Sequence, residues 1–208
     1  MKIGYNTLTE EFENTIVIER SKFICSISHV ESEDEARAFI EKVRKKHSLA
    51  NHNCYAYIAD DKGLIQKFSD DGEPQGTAGL PMLEVLKNKI MYKTVAVVTR
   101  YFGGIKLGTG GLTRAYGGSV ADAISKAKTA DMQPSVSYSV TVEYDGYSLI
   151  LKLLYGDGIK IIKTEFANSV IVEFVLRKDV EEKTKDKVFD SFNGKISFNK
   201  IDEGFFPF

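Results

Sequence analysis

The stretch MYKTVAVVTRYFGGIKLGTGGLTRAYGGSV, residues 91–120, decides the fold. Its first twelve residues have a near-continuous apolar, β-branched centre, which predicts a strand buried on both faces. Glycines interrupt at 103, 104, 108, 110 and 111, and from Leu112 onward apolar residues return on one helical face for about four turns. A buried strand, a glycine loop and a helix in that order predict helices layered on a sheet.

Working back toward the N-terminus, residues 15–30 (TIVIERSKFICSISHV) are rich in β-branched and aromatic side chains and read as one long strand, straight or bent. A helix follows, with Ser32 as N-cap, acids in the first turn and bases in the last. HNCYAYIAD (52–60) predicts a strand whose hairpin partner is LIQKF (64–68). FSDDGEPQGTAGLP has neither period and reads as an irregular loop, after which a helix resumes with Pro81 in its first turn.

Toward the C-terminus the pattern breaks at TADMQPSVS and a new grammar begins: strand 135–144, helix, two strands, helix, and a last strand at KISFNKI. This βαββαβ order is that of a ferredoxin-like domain. The expectation is an α+β protein of two domains, 1–132 and 133–208.

Composition bounds the function. A net charge of −1 will not draw the whole molecule onto nucleic acid or anionic lipid, so any anion site must be local. No run approaches the ~18 apolar residues of a membrane span, and the opening MKIGYNTLTEEFENT lacks the basic-then-apolar order of a signal peptide. A cytoplasmic protein without membrane contact is expected. Cys25 and Cys54 fit two buried thiols in a reducing compartment.

The glycine loop is the first candidate site. Gly103, Gly104, Gly108, Gly110 and Gly111 let backbone N–H groups converge, the helix start adds its dipole, and Arg100, Lys106 and Arg114 could surround one concavity. The spacing matches neither a Walker A loop nor the dinucleotide fingerprint. On the residues alone a second reading stands beside it: glycines for tight turning and close packing, with Arg100 and Arg114 paired to acids of the preceding loop. Asp70, Asp71 and Glu73 are those acids. They could ligate Mg²⁺ beside a phosphate, but their irregular spacing favours a turn, and no metal or other cofactor is expected. His52 and Cys54 share a strand face, yet Cys54 falls with Ala56 and Ile58 on the core side, so no catalytic residue is assigned.

Three motifs, HNCYAY (52–57), SDDGEPQGTAGLP (69–81) and VVTRYFGGIKLGTGGLTRAYG (97–117), together with RSKF (20–23), resemble the IMPACT family, also called the YigZ family or uncharacterised protein family 29. The resemblance implies a first domain similar to a module shared by a small-subunit ribosomal protein and domain IV of elongation factor G. It implies a ferredoxin-like second domain similar to domain V of that factor. It places Asp70, Asp71, Glu73, Arg100, Lys106 and Arg114 along the family's cleft. Eukaryotic members regulate translation through an additional N-terminal domain, so their kinase-directed role is not carried over. The resulting expectation is a translation-associated regulator, more a binding protein than an enzyme, with RNA, the ribosome or regulatory proteins as partners. The alternatives are an enzyme acting on a phosphorylated or peptide-like small molecule, or a protein-docking regulator. The oligomeric state is left open.

Overall fold

The structure, a computed structural model, describes residues 4–208; residues 1–3 of the expected first domain lie outside the described residues. The chain divides into two compact units, Tyr5–Ala130 and Asp131–Phe208, Gly4 belonging with the second.

In the N-terminal unit β1 (Tyr5–Leu8) precedes a five-stranded antiparallel sheet. Its strands are β2 (Phe12–Ile18), β3 (Ser21–His29), β4 (His52–Ile58), β5 (Gln66–Ser69) and β6 (Thr94–Tyr101), in the order β2-β3-β6-β4-β5. β6 is central and buried from Thr94 to Arg100. Its alternation feeds two cores: Val95 and Val97 meet α1 (Glu33–Lys46), whereas Ala96 and Val98 face α2 (Gly79–Asn88) and α3 (Gly108–Lys126). A strand covered on both faces must be apolar on both, which is why this run lacks polar alternation.

Local chemistry fixes the helices. Ser32 Oγ accepts from Glu35 N at 3.2 Å, and the Glu35 carboxylate accepts from Glu31 N at 2.8 Å, satisfying N–H groups at the start of α1. One face of α3, Leu112, Ala115, Tyr116, Ser119, Val120, Ala123 and Ile124, is buried, as the spacing predicts.

Several elements differ from the sequence reading, which gave no strand at β1 and began α3 at Leu112. Residues 15–30 are not one strand: β2 and β3 form a hairpin whose turn residues Glu19 and Arg20 take φ of 44° and 63°. A two-residue turn of this hand normally advertises itself through glycine or asparagine, and here two charged residues adopt it. β7 (Thr129–Val142) runs straight through the expected break, with Pro134 paired to Phe205. The last strand, β10 (Asn199–Pro207), begins later than KISFNKI suggests because Ile196 is taken into the core from a loop.

The C-terminal unit continues from β7 through a 3₁₀ turn to α4 (Tyr147–Leu153), β8 (Ile159–Phe166), β9 (Val170–Arg177), α5 (Glu181–Ser191) and β10. Its antiparallel strands run β10-β7-β9-β8. Alternate residues of β7 and β9, among them Val136, Val140, Val172 and Phe174, pack with Ile150 of α4 and Val188 of α5. Both cysteines are free and buried in the N-terminal unit, where burial pushes their thiols well above the usual range. No helix among the described residues is long and apolar enough to cross a membrane.

Candidate functional site

The glycines of residues 103–111 separate into distinct roles. Gly103 is a packing residue: a Cβ there would stand 2.1 Å from the carbonyl carbon of Arg20, so the chain just past β6 presses backbone to backbone on the β2–β3 turn. Gly104 and Gly108 take φ of +87° and +68° with open space around them, so conformation is what they supply. Gly110 and Gly111 do not belong to the loop. α3 starts at Gly108, and both lie in its first turn.

The three cations also part company. Arg100 is 5% exposed. Its Nη1 donates to Glu73 Oε1 at 2.6 Å and its Nη2 approaches Ser21 Oγ at 3.4 Å, while the guanidinium lies between the rings of Phe23 and Phe102 at 5.3 Å from each. Its Nε has no hydrogen-bond partner among the described residues. An arginine neutralised by a buried carboxylate is held within the protein, the second of the two arrangements that the residues allow, in which Arg100 pairs with an acid of the preceding loop. Lys106 and Arg114 are exposed and form no ion pair among the described residues. Arg114 folds back along its own helix, its Nη1 3.8 Å from where a Cβ on Gly110 would stand.

The acidic loop works inward. Asp70 Oδ1 accepts from Ala78 N and Gly79 N at 3.0 and 2.9 Å, and Oδ2 from Gly76 N at 2.8 Å, so this side chain caps the start of α2 from nine residues upstream. Asp71, at φ 43°, accepts from Asn53 N at 2.6 Å and pairs with Arg44 at 3.2 Å. Glu73 is buried between Arg100 and the hydroxyl of Tyr116, which donates to the same Oε1 at 2.7 Å. His52 Nε2 stands 3.9 Å from that oxygen, and Cys54 Sγ donates to Asp70 O at 2.9 Å. Burial pushes the Tyr116 hydroxyl far above its ordinary value, with Cys54 and Glu73 adding to the effect, so it stays a donor. The described residues hold no cluster of three or more His, Cys, Asp or Glu side chains able to share a metal ion.

The structure therefore gathers Glu73 and Arg100 into one buried network and leaves Lys106 and Arg114 outside it. Sequence reasoning overlooked Ser21, whose hydroxyl also accepts from Gly103 N at 3.2 Å. Tyr116 belongs to the same network through its hydroxyl on Glu73. The one signal for Tyr116 was a polar ring on an apolar helical face. In the C-terminal unit a cavity of about 600 Å³ opens beside Arg177 and Lys178, but Asp179 grips Arg177 through two bonds of 2.8 Å, and Glu181 and Glu203 hold Lys178.

The profile of the Impact N-terminal domain matches residues 19–124, which include the whole glycine loop and acidic loop. The IMPACT family member YigZ of Escherichia coli is 38% identical over 189 residues, covering 89% of this chain and 92% of its own. The IMPACT family member YvyE of Bacillus subtilis is 58% identical over 122 residues, a match spanning 59% of this chain and 56% of that protein. A solved structure titled as that of a hypothetical protein aligns over 98% of this chain and 100% of its own, with a TM-score of 0.61 at 35% identity.

Proposed function

This chain belongs to the IMPACT family, and from that premise we propose that it is a cytoplasmic, non-catalytic regulator of translation that contacts RNA or ribosomal phosphate through the first turn of α3. The observation that carries this reading is Arg114 folded over Gly110 at the N-terminus of its own helix. A cation there opposes the helix dipole, the first turn holds no acidic residue, and no side chain caps it. Lys106 lies two residues before the helix, so two exposed cations with no ion pair among the described residues flank its N-terminal turns in the sequence. Asp70, Asp71 and Glu73 are spent on backbone amides, Arg44, Arg100 and Tyr116, which supports binding over turnover.

The domain assignments belong to the same proposal: an IMPACT-type domain over 1–132, similar to the elongation factor G domain IV module, and a ferredoxin-like domain over 133–208. The second is supported by the βαββαβ order and by a strand sequence that places the first and third strands at the centre.

The test compares ribosomal particles and RNA recovered from cells with the wild-type chain and with Lys106→Glu/Arg114→Glu. Loss of recovery in the variant is expected. In vitro, two phosphate contacts on single-stranded RNA give a slope of log K against log salt of about −1.4. Equal binding by both proteins at every salt concentration would overturn the reading.

A further inference from the structure

Edge strand β5 is poised to accept another strand, and its two faces have opposite character. Ala59 N donates to Ile65 O at 2.8 Å, so by antiparallel alternation Lys67 and Ser69 turn their backbone groups toward β4. Gln66 and Phe68 then turn theirs away from the sheet, and no further strand among the described residues pairs with β5. Two N–H and two C=O groups thus stand along an open edge.

Between this edge and α1 runs a groove of about 290 Å³. Tyr55 and Tyr57 floor it, their rings parallel at 6.2 Å. Arg37 and Arg44, seven residues and two turns apart on α1, form one wall, and Lys67 stands across from them. Glu41 is the one acid lining the groove; Glu33, bound to Arg37 and to the Tyr57 hydroxyl, lies behind it. The pairs that Arg37 and Arg44 make are exposed or half-exposed, and exchanging such pairs costs little. On the opposite face of the strand Phe68, which sits across from Ala56 of the α2–α3 core, is 40% exposed, and Leu80 in the first turn of α2 is 41% exposed.

We propose that β5 is a docking edge for an extended peptide segment whose side chains alternate acidic and apolar. The alternation follows from geometry: in an added strand successive side chains point to opposite faces, so acids two residues apart, about 7 Å, enter the cationic groove while the residues between them lie over Phe68. Charge alone would admit a nucleic acid. The paired backbone groups and the apolar face favour a peptide.

The probe is a fluorescein-labelled peptide Gly-Glu-Val-Glu-Val-Glu-Val-Gly, followed by anisotropy against the full chain. The expected result is saturable binding that falls at least 10-fold in Arg37→Glu/Lys67→Glu and at least 5-fold for an isomer with its Glu and Val residues in separate blocks. Two N-methylated peptides, blocked on alternate amides, should separate: the one blocked on the edge-facing amides loses binding and the other keeps it. Binding should persist in Lys106→Glu/Arg114→Glu, so this inference and the RNA reading fail separately. Equal affinity for the alternating and block peptides, equal affinity for both N-methylated forms, no binding at millimolar peptide, or tighter binding of a ten-nucleotide oligo(U) that competes for the groove would each overturn the proposal.

Discussion

Replacing Arg100 by methionine (Arg100→Met) removes a guanidinium while keeping an apolar stem between Phe23 and Phe102. Glu73, its side chain 4% exposed, would keep one short donor, the Tyr116 hydroxyl at 2.7 Å, and an imidazole nitrogen at 3.9 Å. Breaking a buried ion pair by deleting one partner costs about 3–5 kcal/mol, because the remaining charge stays desolvated. The N-terminal unit holds 126 residues, so its unfolding entropy near the midpoint is roughly 0.26 kcal/mol/K, and the melting temperature should fall by about 11–19 °C. Scanning calorimetry reads this directly. Arg100→Met combined with Glu73→Leu removes both charges, and most of the lost stability should return. A single variant within about 1 kcal/mol of wild type, or a double variant no more stable than the single, would refute the claim that this pair is desolvated and mutually dependent.

Further predictions follow from individual contacts. Gly103→Ala forces a Cβ against the Arg20 backbone and should cost about 4 kcal/mol or prevent folding, whereas Gly104→Ala meets open space and should cost about 1 kcal/mol through its positive φ; urea melts of the two variants separate packing from conformation. Asp70→Ala leaves three backbone amides at the start of α2 without their acceptor and should cost about 2 kcal/mol, with faster hydrogen exchange at Gly76, Ala78 and Gly79. Lys200 and Lys178 hold the Glu203 carboxyl down at about 2. Because its folded value lies below its unfolded one, its contribution is complete above about pH 4.5 and is lost as pH falls toward 2. Glu203→Gln should therefore flatten the acid limb of the stability curve in that window, and an unchanged limb would contradict the assignment.

Sequence carried the elements whose local and tertiary demands agree. β6 is apolar because it is covered twice, α1 has its cap and charge gradient, and the buried stripe of α3 keeps a strict helical period. It failed where the deciding quantity is non-local. Nothing in Glu19-Arg20 announces a tight reversal; the turn is imposed by the pairing of β2 with β3, from Phe12 opposite Ile27 to Ile18 opposite Ser21. The site was half legible for the same reason. Both Arg100 as an outside ligand and Arg100 as an internal partner fit the letters, and only burial beside Glu73, twenty-seven residues away, separates them. The start of α3 was placed too late because glycine is a poor helix former, and Gly108 to Gly111 are helical all the same.

The two thiols offer a use that is independent of biology. Cys25 lies on β3 and Cys54 on β4, both enclosed in one core, while the sequence from 131 onward contains no sulfhydryl at all. Alkylating reagents are thereby shut out until that core opens, and the rate at which they label the chain becomes a clock for the N-terminal unit alone, silent to whatever the other half of the molecule is doing.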